Sequence, residues 1–191
     1  MIGRAIRLVL APQARLAVLA AAPVPLKEFY RDWVMPLAAI PAVAGFVGAA
    51  VVGYALPLAH GAARVNPFAA LVGATVGWAL SVLLVPVLGL AISALAPRFD
   101  TPPDSDAATR LVAYAFTPVW LAGAALALPP LAGLAVLGLW GAVIFHAGLP
   151  AFLGTPETRR TGFTVAAVCC GVIGFAVAGS LLRIMVPGAY R

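Results

Sequence analysis

A small set of polar side chains lies within apolar stretches of the sequence and could form a polar pocket: Tyr114, Thr117 and His146. Tyr114 and Thr117 precede Pro118, and a helix kink at this proline would leave backbone carbonyl groups available near them. His146 is the one ionisable group of its stretch, and it could transfer protons or bind a ligand. The alternatives, which we prefer, are ordinary helix bending and a neutral histidine that hydrogen-bonds a neighbouring helix.

Two adjacent cysteines and an aspartate-containing loop are the remaining candidates for redox or metal chemistry. On a helix, the side chains of Cys169 and Cys170 would point about 100° apart, and their neighbours carry no positive charge, which favours packing. In the polar loop at residues 97–110, Asp104 and Asp106 are expected to cap the following helix. A calcium site is the alternative, but calcium loops use a longer ordered set of oxygen ligands.

None of the residue patterns expected of an enzyme is present in the sequence. Such a pattern would be a nucleophile beside a base, a carboxylate pair, or metal ligands at matching depth. We therefore expect a non-catalytic protein with no cofactor and no metal ion. The apolar stretches also contain no Asp, Glu or Lys, which argues against ion-coupled transport, because transporters place charges near the middle of the membrane.

The elements that hold these residues are apolar stretches long enough to cross a bilayer as helices. Of the 191 residues, 63% are hydrophobic and 9% are charged, with mean hydropathy +1.06, whereas soluble domains carry about a quarter charged residues. We predict an all-α, polytopic membrane protein with an N-terminal segment at residues 1–32 and a five-helix bundle at residues 33–187. The five expected spans are 33–59, 68–96, 111–128, 131–153 and 162–186.

The basic residues that flank the spans predict the orientation, because cytoplasmic loops are enriched in Lys and Arg. With the N-terminus inside and the C-terminus outside, nine basic residues face the cytoplasm and three face the exterior. The inside set is Arg4, Arg7, Arg15, Lys27, Arg31, Arg98, Arg110, Arg159 and Arg160, and the outside set is Arg64, Arg183 and Arg191. We expect the plasma membrane, or inner membrane, of a bacterium.

The N-terminal segment has the pattern of an interfacial amphipathic helix. Arg4, Arg7 and Arg15 fall on one side at 100° per residue, and apolar residues such as Ile6 and Leu16 fall opposite. We expect this helix to stay uncleaved and to lie on the anionic cytoplasmic leaflet, where the three arginines contact lipid headgroups. The net charge of +6 is explained by lipid, and no nucleic-acid partner is expected.

A stripe of small residues marks the second span. Gly73, Gly77 and Ser81 recur every four residues, and such a face lets helix backbones approach closely in a membrane. We expect the stripe to serve helix packing within the chain, and association with a membrane-protein partner or a second copy is the alternative.

Several segments of the chain resemble one known family. They are the segment of residues 110–123 (RLVAYAFTPVWLAG), with its Tyr114-x-x-Thr117-Pro118 pattern; Gly148-Leu149-Pro150 ahead of Pro156; residues 7–12 (RLVLAP); and residues 34–41 (VMPLAAIP). Together they are similar to the Yip family, the Ypt/Rab-interacting membrane proteins with five spans, in its prokaryotic branch.

The resemblance implies a compact five-helix integral membrane protein. Eukaryotic members of the family associate with small GTPases and with one another during vesicle traffic. In this chain, 32 residues precede the first expected span in place of a long cytoplasmic extension, so we do not expect GTPase binding to carry over.

From these observations we expect a membrane organiser or adaptor that works through its lateral and cytoplasmic faces. A small channel or transporter through helices kinked at proline and glycine is the alternative from another class. A third interpretation is a lipid-handling protein whose N-terminal helix grips the headgroups.

Overall fold

The computed structural model describes residues 2–55, 62–63 and 65–186. Helices account for nearly all of them, and five are long and apolar enough to cross a membrane, so the all-α, five-helix prediction is confirmed. These candidate spans are Leu26–Val52, Pro67–Phe99, Ser105–Ala127, Val136–Leu153 and Glu157–Met185.

The N-terminal segment forms two helices, α1 (Ile2–Leu10) and α2 (Pro12–Ala21). The break falls at Ala11, whose φ of −138° is not helical, because a residue before proline is disfavoured in the α region. Leu8 and Leu16 are buried against the bundle, whereas Ile6 is exposed. The chain therefore does not form a single continuous helix with Ile6 and Leu16 on one apolar face.

The first long helix, α3 (Leu26–Val52), begins after Pro25 and contains two π-helical stretches, Tyr30–Val34 and Val47–Val52. The helix therefore includes the charged residues that precede Trp33 in the sequence. It ends where Gly53 takes a φ of +82°, a conformation that glycine adopts without strain. Two short antiparallel strands follow, β1 (Tyr54–Ala55) and β2 (Ala62–Ala63).

Side-chain caps start the next two long helices. α4 (Pro67–Phe99) begins at Asn66, whose side chain accepts a hydrogen bond from the backbone N–H of Phe68 (2.9 Å). α5 (Ser105–Ala127) begins at Asp104, whose carboxylate accepts from the N–H groups of Asp106 (3.0 Å) and Ala107 (2.9 Å). The predicted Asp104 cap is thus confirmed.

The fourth long helix, α6, begins at the double proline Pro129-Pro130 and starts as a 3₁₀-helix. Its first part, Pro129–Leu139, is a 3₁₀-helix, and Trp140–Leu153 continues as α-helix until Gly154, with a φ of +63°, ends it. The last helix, α7 (Glu157–Met185), lies at the periphery: little of it is buried in the protein.

The core of the bundle is built around α5. Twelve of its residues are buried, and the helix packs against α3, α4 and α6, while α7 packs against α4 and α6. Gly89 of α4 and Gly141 of α6 allow close approach to α5, since a Cβ atom on Gly89 would overlap Thr109 and one on Gly141 would overlap the carbonyl oxygen of Ala115.

Parts of the sequence-based expectations lie outside the described residues. These are the expected end of the first span at Ala59 and the expected external positions Arg64 and Arg191. The described part of the first span ends at Val52, and the α-helical part of the fourth begins at Trp140.

Candidate functional site

Tyr114 and Thr117, two of the three candidate polar-pocket residues, lie together in a buried aromatic cluster. We define this aromatic cluster as Phe29, Trp33, Tyr114 and Phe152, with the Tyr114 ring centroid 5.2, 5.4 and 5.7 Å from the other three. Trp33 donates from its Nε1 atom to the Thr117 hydroxyl (3.3 Å), and that hydroxyl donates to the Ala113 carbonyl (3.3 Å). The Trp33–Thr117 hydrogen bond and the ring contacts of Tyr114 with Phe29 and Trp33 tie α3 to α5.

His146 lies elsewhere, on the exposed side of α6. Its Nδ1 atom is 3.0 Å from the Thr164 hydroxyl of α7, which in turn donates to the Arg160 carbonyl (2.8 Å). The structure therefore does not bring His146 into one pocket with Tyr114 and Thr117. Its hydrogen-bond partner lies on a neighbouring helix, as in the interpretation that we preferred from the sequence.

The three N-terminal arginines line one open cavity, which we call the arginine pocket. Its volume is about 310 Å³, and α1, α2, α3 and α5 all contribute to its walls. Its charged side chains are Arg4, Arg7, Arg15, Arg110, Glu28 and Asp32. Phe29, Trp33 and Tyr114 of the aromatic cluster form its inner wall, so the charged mouth opens directly onto buried rings.

Two of these arginines have contacts that hold them in place. The Arg110 guanidinium donates to the Val24 carbonyl and lies 5.8 Å from the Phe29 ring centroid, a cation–π distance. Arg7 donates from Nε to the Gly3 carbonyl (3.1 Å).

Asp32, which lines the pocket, is already paired with Arg31, which does not line it, at 2.8 Å. The two ion pairs of the described residues, Arg31–Asp32 and Arg159–Asp100, include none of the four pocket arginines.

The small-residue stripe lies on an apolar groove of about 530 Å³, which we call the lateral groove and which α3, α4, α5 and α7 all line. Gly73, Gly77 and Ser81 line it together with Ala42 and Gly45 of α3. A Cβ atom on Gly77 would be 3.8 Å from Leu182, an ordinary van der Waals distance. The Ser81 hydroxyl accepts a hydrogen bond from Trp120 Nε1 (3.0 Å). Close approach occurs at other glycines, including Gly174 of α7, where a Cβ atom would be 2.9 Å from Leu84.

The loop before α5 and the turn before α7 meet at one end of the bundle. Arg159 Nε is 2.7 Å from the Asp100 carboxylate, and the hydroxyls of Thr101 and Thr155 are 3.2 Å apart. Arg110 belongs to the same loop–helix junction and reaches the arginine pocket. The N-terminal helices and both of these segments therefore share one side of the bundle.

Sequence reasoning missed three partners of the site. Arg110 was counted only as a charge that flanks a span. Its position near the start of α5 is on the same predicted side of the membrane as the N-terminal arginines, and this could have indicated that they lie together. Trp33 was recognised only as the first residue of the expected first span, and Thr164 was not singled out. The contacts of both depend on how distant helices pack.

In the described part of the chain, His, Cys, Asp and Glu side chains form no group of three or more that could hold a metal ion. Cys169 is exposed and Cys170 is half-buried on α7. The arrangement instead offers a cationic pocket, a closed aromatic cluster and an apolar lateral groove.

Comparison with known proteins gives one match. Residues 9–180 match the family model described as the Yip1 domain. No curated protein and no solved structure matches the chain. The family match covers most of the sequence, and five apolar helices are present within the described residues. This chain is accordingly a multi-pass membrane protein that belongs to the Yip family.

Proposed function

We propose that this protein is a non-catalytic membrane organiser or adaptor of a bacterial inner membrane, with its N-terminus in the cytoplasm. It would act by contact with other membrane components along its lateral and cytoplasmic faces. Its partners would be anionic lipid and either another membrane protein or a second copy of itself.

The packing of α5 is the observation that supports this proposal best. Most of this helix is buried, and Thr117, at 0% exposure, is hydrogen-bonded to Trp33 and the backbone. Trp120 likewise donates to Ser81. A side chain whose polar atoms are paired within the protein offers little to a passing ion or solute. The surfaces left for interaction are the outer ones.

A channel would be favoured by polar side chains that line one continuous path. His146 pairs with Thr164 on the exposed side of α6, whereas Tyr114 belongs to the aromatic cluster and Thr117 is hydrogen-bonded to Trp33 of that cluster. This separation favours the adaptor over the channel.

Site-specific photo-crosslinking in the native membrane tests the adaptor role. A photoreactive residue at Ala42, in the lateral groove, should give discrete adducts with a protein partner or a second copy. Gly77→Leu, which places a large side chain in the groove, should reduce them. Gly179→Leu is the matched control, because Gly179 is exposed on α7 with no atom within 4 Å of a built Cβ.

The proposal fails if Ala42 gives no discrete protein adduct, or if Gly77→Leu and Gly179→Leu change the adducts equally. Both variants must first show the native unfolding midpoint. A loss of adducts then results from the side chain that fills the groove and not from misfolding.

A further inference from the structure

The arginine pocket collects more positive charge than its neighbours neutralise. Four arginines and two acidic residues line it, a net charge of +2, and Asp32 is already paired with Arg31. Like charges that share one small cavity repel one another, and a bound anion removes that repulsion. The convergence of Arg4, Arg7, Arg15 and Arg110 therefore calls for an anionic occupant.

The number of arginines in the pocket favours a phosphate group. A guanidinium group donates planar pairs of hydrogen bonds to carboxylate and phosphate alike, but a phosphate offers more oxygen atoms for several arginines to share. Arg110 is held in place by the Val24 carbonyl and the Phe29 ring. Arg7 uses Nε for the Gly3 carbonyl, which leaves its terminal amino groups available to donate to a bound anion.

The size and inner wall of the pocket limit the occupant to a small group. The volume of about 310 Å³ lies at the lower end of the range of small-ligand sites. The buried rings of Phe29, Trp33 and Tyr114 close it towards the bundle, so that the anion stays near the mouth.

Exposed apolar side chains lie on the two helices that carry the N-terminal arginines. Val18, which lines the pocket, is 64% exposed, and Ile2 and Ile6 are exposed on the side of α1 opposite Arg4 and Arg7. Exposed apolar side chains beside arginines are the pattern of a helix at the headgroup level of a bilayer. A lipid phosphate could therefore enter the pocket from the membrane.

We propose that the arginine pocket is a specific binding site for the phosphate group of an anionic ligand, either a phospholipid headgroup or a small soluble phosphate ester. Arg110 and the three N-terminal arginines bind the phosphate together. The site differs from diffuse attraction of a basic segment to a membrane, because it needs Arg110, a residue of α5, as much as the N-terminal helices. It rests on the proposed function in one respect, since it gives the anionic lipid a defined binding site, but its test does not involve the lateral groove, so the two proposals can fail separately.

The test measures binding of phosphatidylglycerol by native mass spectrometry, with the full chain released from nanodiscs of phosphatidylcholine with or without phosphatidylglycerol. A parallel arm titrates glycerol 3-phosphate against the lipid-loaded protein. Retention of one phosphatidylglycerol that glycerol 3-phosphate does not displace assigns the site to lipid. Displacement by glycerol 3-phosphate assigns it to a soluble phosphate.

Two variants and a matched control separate the pocket from general charge. Arg4→Gln/Arg15→Gln changes two exposed side chains, and Arg110→Gln changes the α5 residue; each should weaken binding roughly tenfold or more, since each lost contact is a hydrogen bond between charged groups. Lys27→Gln/Arg98→Gln removes the same charge from exposed residues of the same end that do not line the pocket. This control should bind as the native chain does.

The proposal is overturned if no phosphate-bearing ligand is retained, or if the control weakens binding as much as the pocket variants do. Native-like unfolding midpoints are required of every variant, and Arg110→Lys, which keeps the charge, should recover part of the affinity lost in Arg110→Gln.

Discussion

The contact between α5 and α6 predicts that a single methyl group added at Gly141 lowers the free energy of unfolding. A Cβ atom there would overlap the carbonyl oxygen of Ala115 and come within 3.9 Å of Pro118. Both neighbours belong to the buried α5, which is packed on several sides and cannot shift freely. Overpacking of this kind costs about 1–3 kcal/mol, which exceeds the gain of about 1 kcal/mol that alanine brings to a helix. We expect Gly141→Ala to lower the free energy of unfolding by up to about 2 kcal/mol.

Gly45→Ala is the control for this prediction. Gly45 also lies within a long helix, but a built Cβ atom has nothing within 4 Å, so the helix-propensity gain is not opposed. Unfolding of both variants in mixed micelles, with increasing denaturing detergent and tryptophan fluorescence as the signal, gives the two free energies. Equal stability of Gly141→Ala and Gly45→Ala would show that the backbones of α5 and α6 are not in close contact at Gly141.

Two further predictions concern topology and capping. With Cys169 and Cys170 replaced by alanine, a single cysteine at Ser105 should resist an impermeant maleimide in intact cells, because the loop before α5 is expected in the cytoplasm; external labelling would contradict the orientation. Asp104→Ala should lower the free energy of unfolding by about 1 kcal/mol, because it removes the acceptor for two backbone N–H groups. Arg159→Ala, which removes an exposed ion pair with Asp100, should cost less; a larger loss at Arg159 would contradict the assignment of Asp104 as the cap.

The sequence predicted the features that depend on local pattern. Apolar length predicted five helices, and the side-chain chemistry of Asp104 predicted the cap of α5. The break in helical backbone at Leu128 has a local cause as well, because the double proline Pro129-Pro130 that follows it cannot supply helical N–H donors. Each of these features is decided by a few neighbouring residues, so no knowledge of the tertiary structure was needed.

The features that depend on packing were not predicted. A helical wheel drawn through residues 2–16 assumed one helix, but Pro12 breaks it and the burial of Leu8 fixes how α1 sits. The arginine pocket requires Arg110 to meet residues about a hundred positions earlier, and no spacing rule encodes such a meeting. The small stripe shows the same limit: its periodicity was visible, but whether Gly77 faces a helix or a groove depends on the position of α3.

Flux through reconstituted liposomes tests the central claim, a non-conducting bundle that works through its outer faces, most directly. The purified chain should pass no more protons, potassium ions or small solutes than protein-free liposomes do. His146→Ala should behave as the native chain does, because His146 pairs with Thr164 and lies apart from the aromatic cluster. Flux that depends on the protein and is abolished by His146→Ala would contradict the account in favour of a channel.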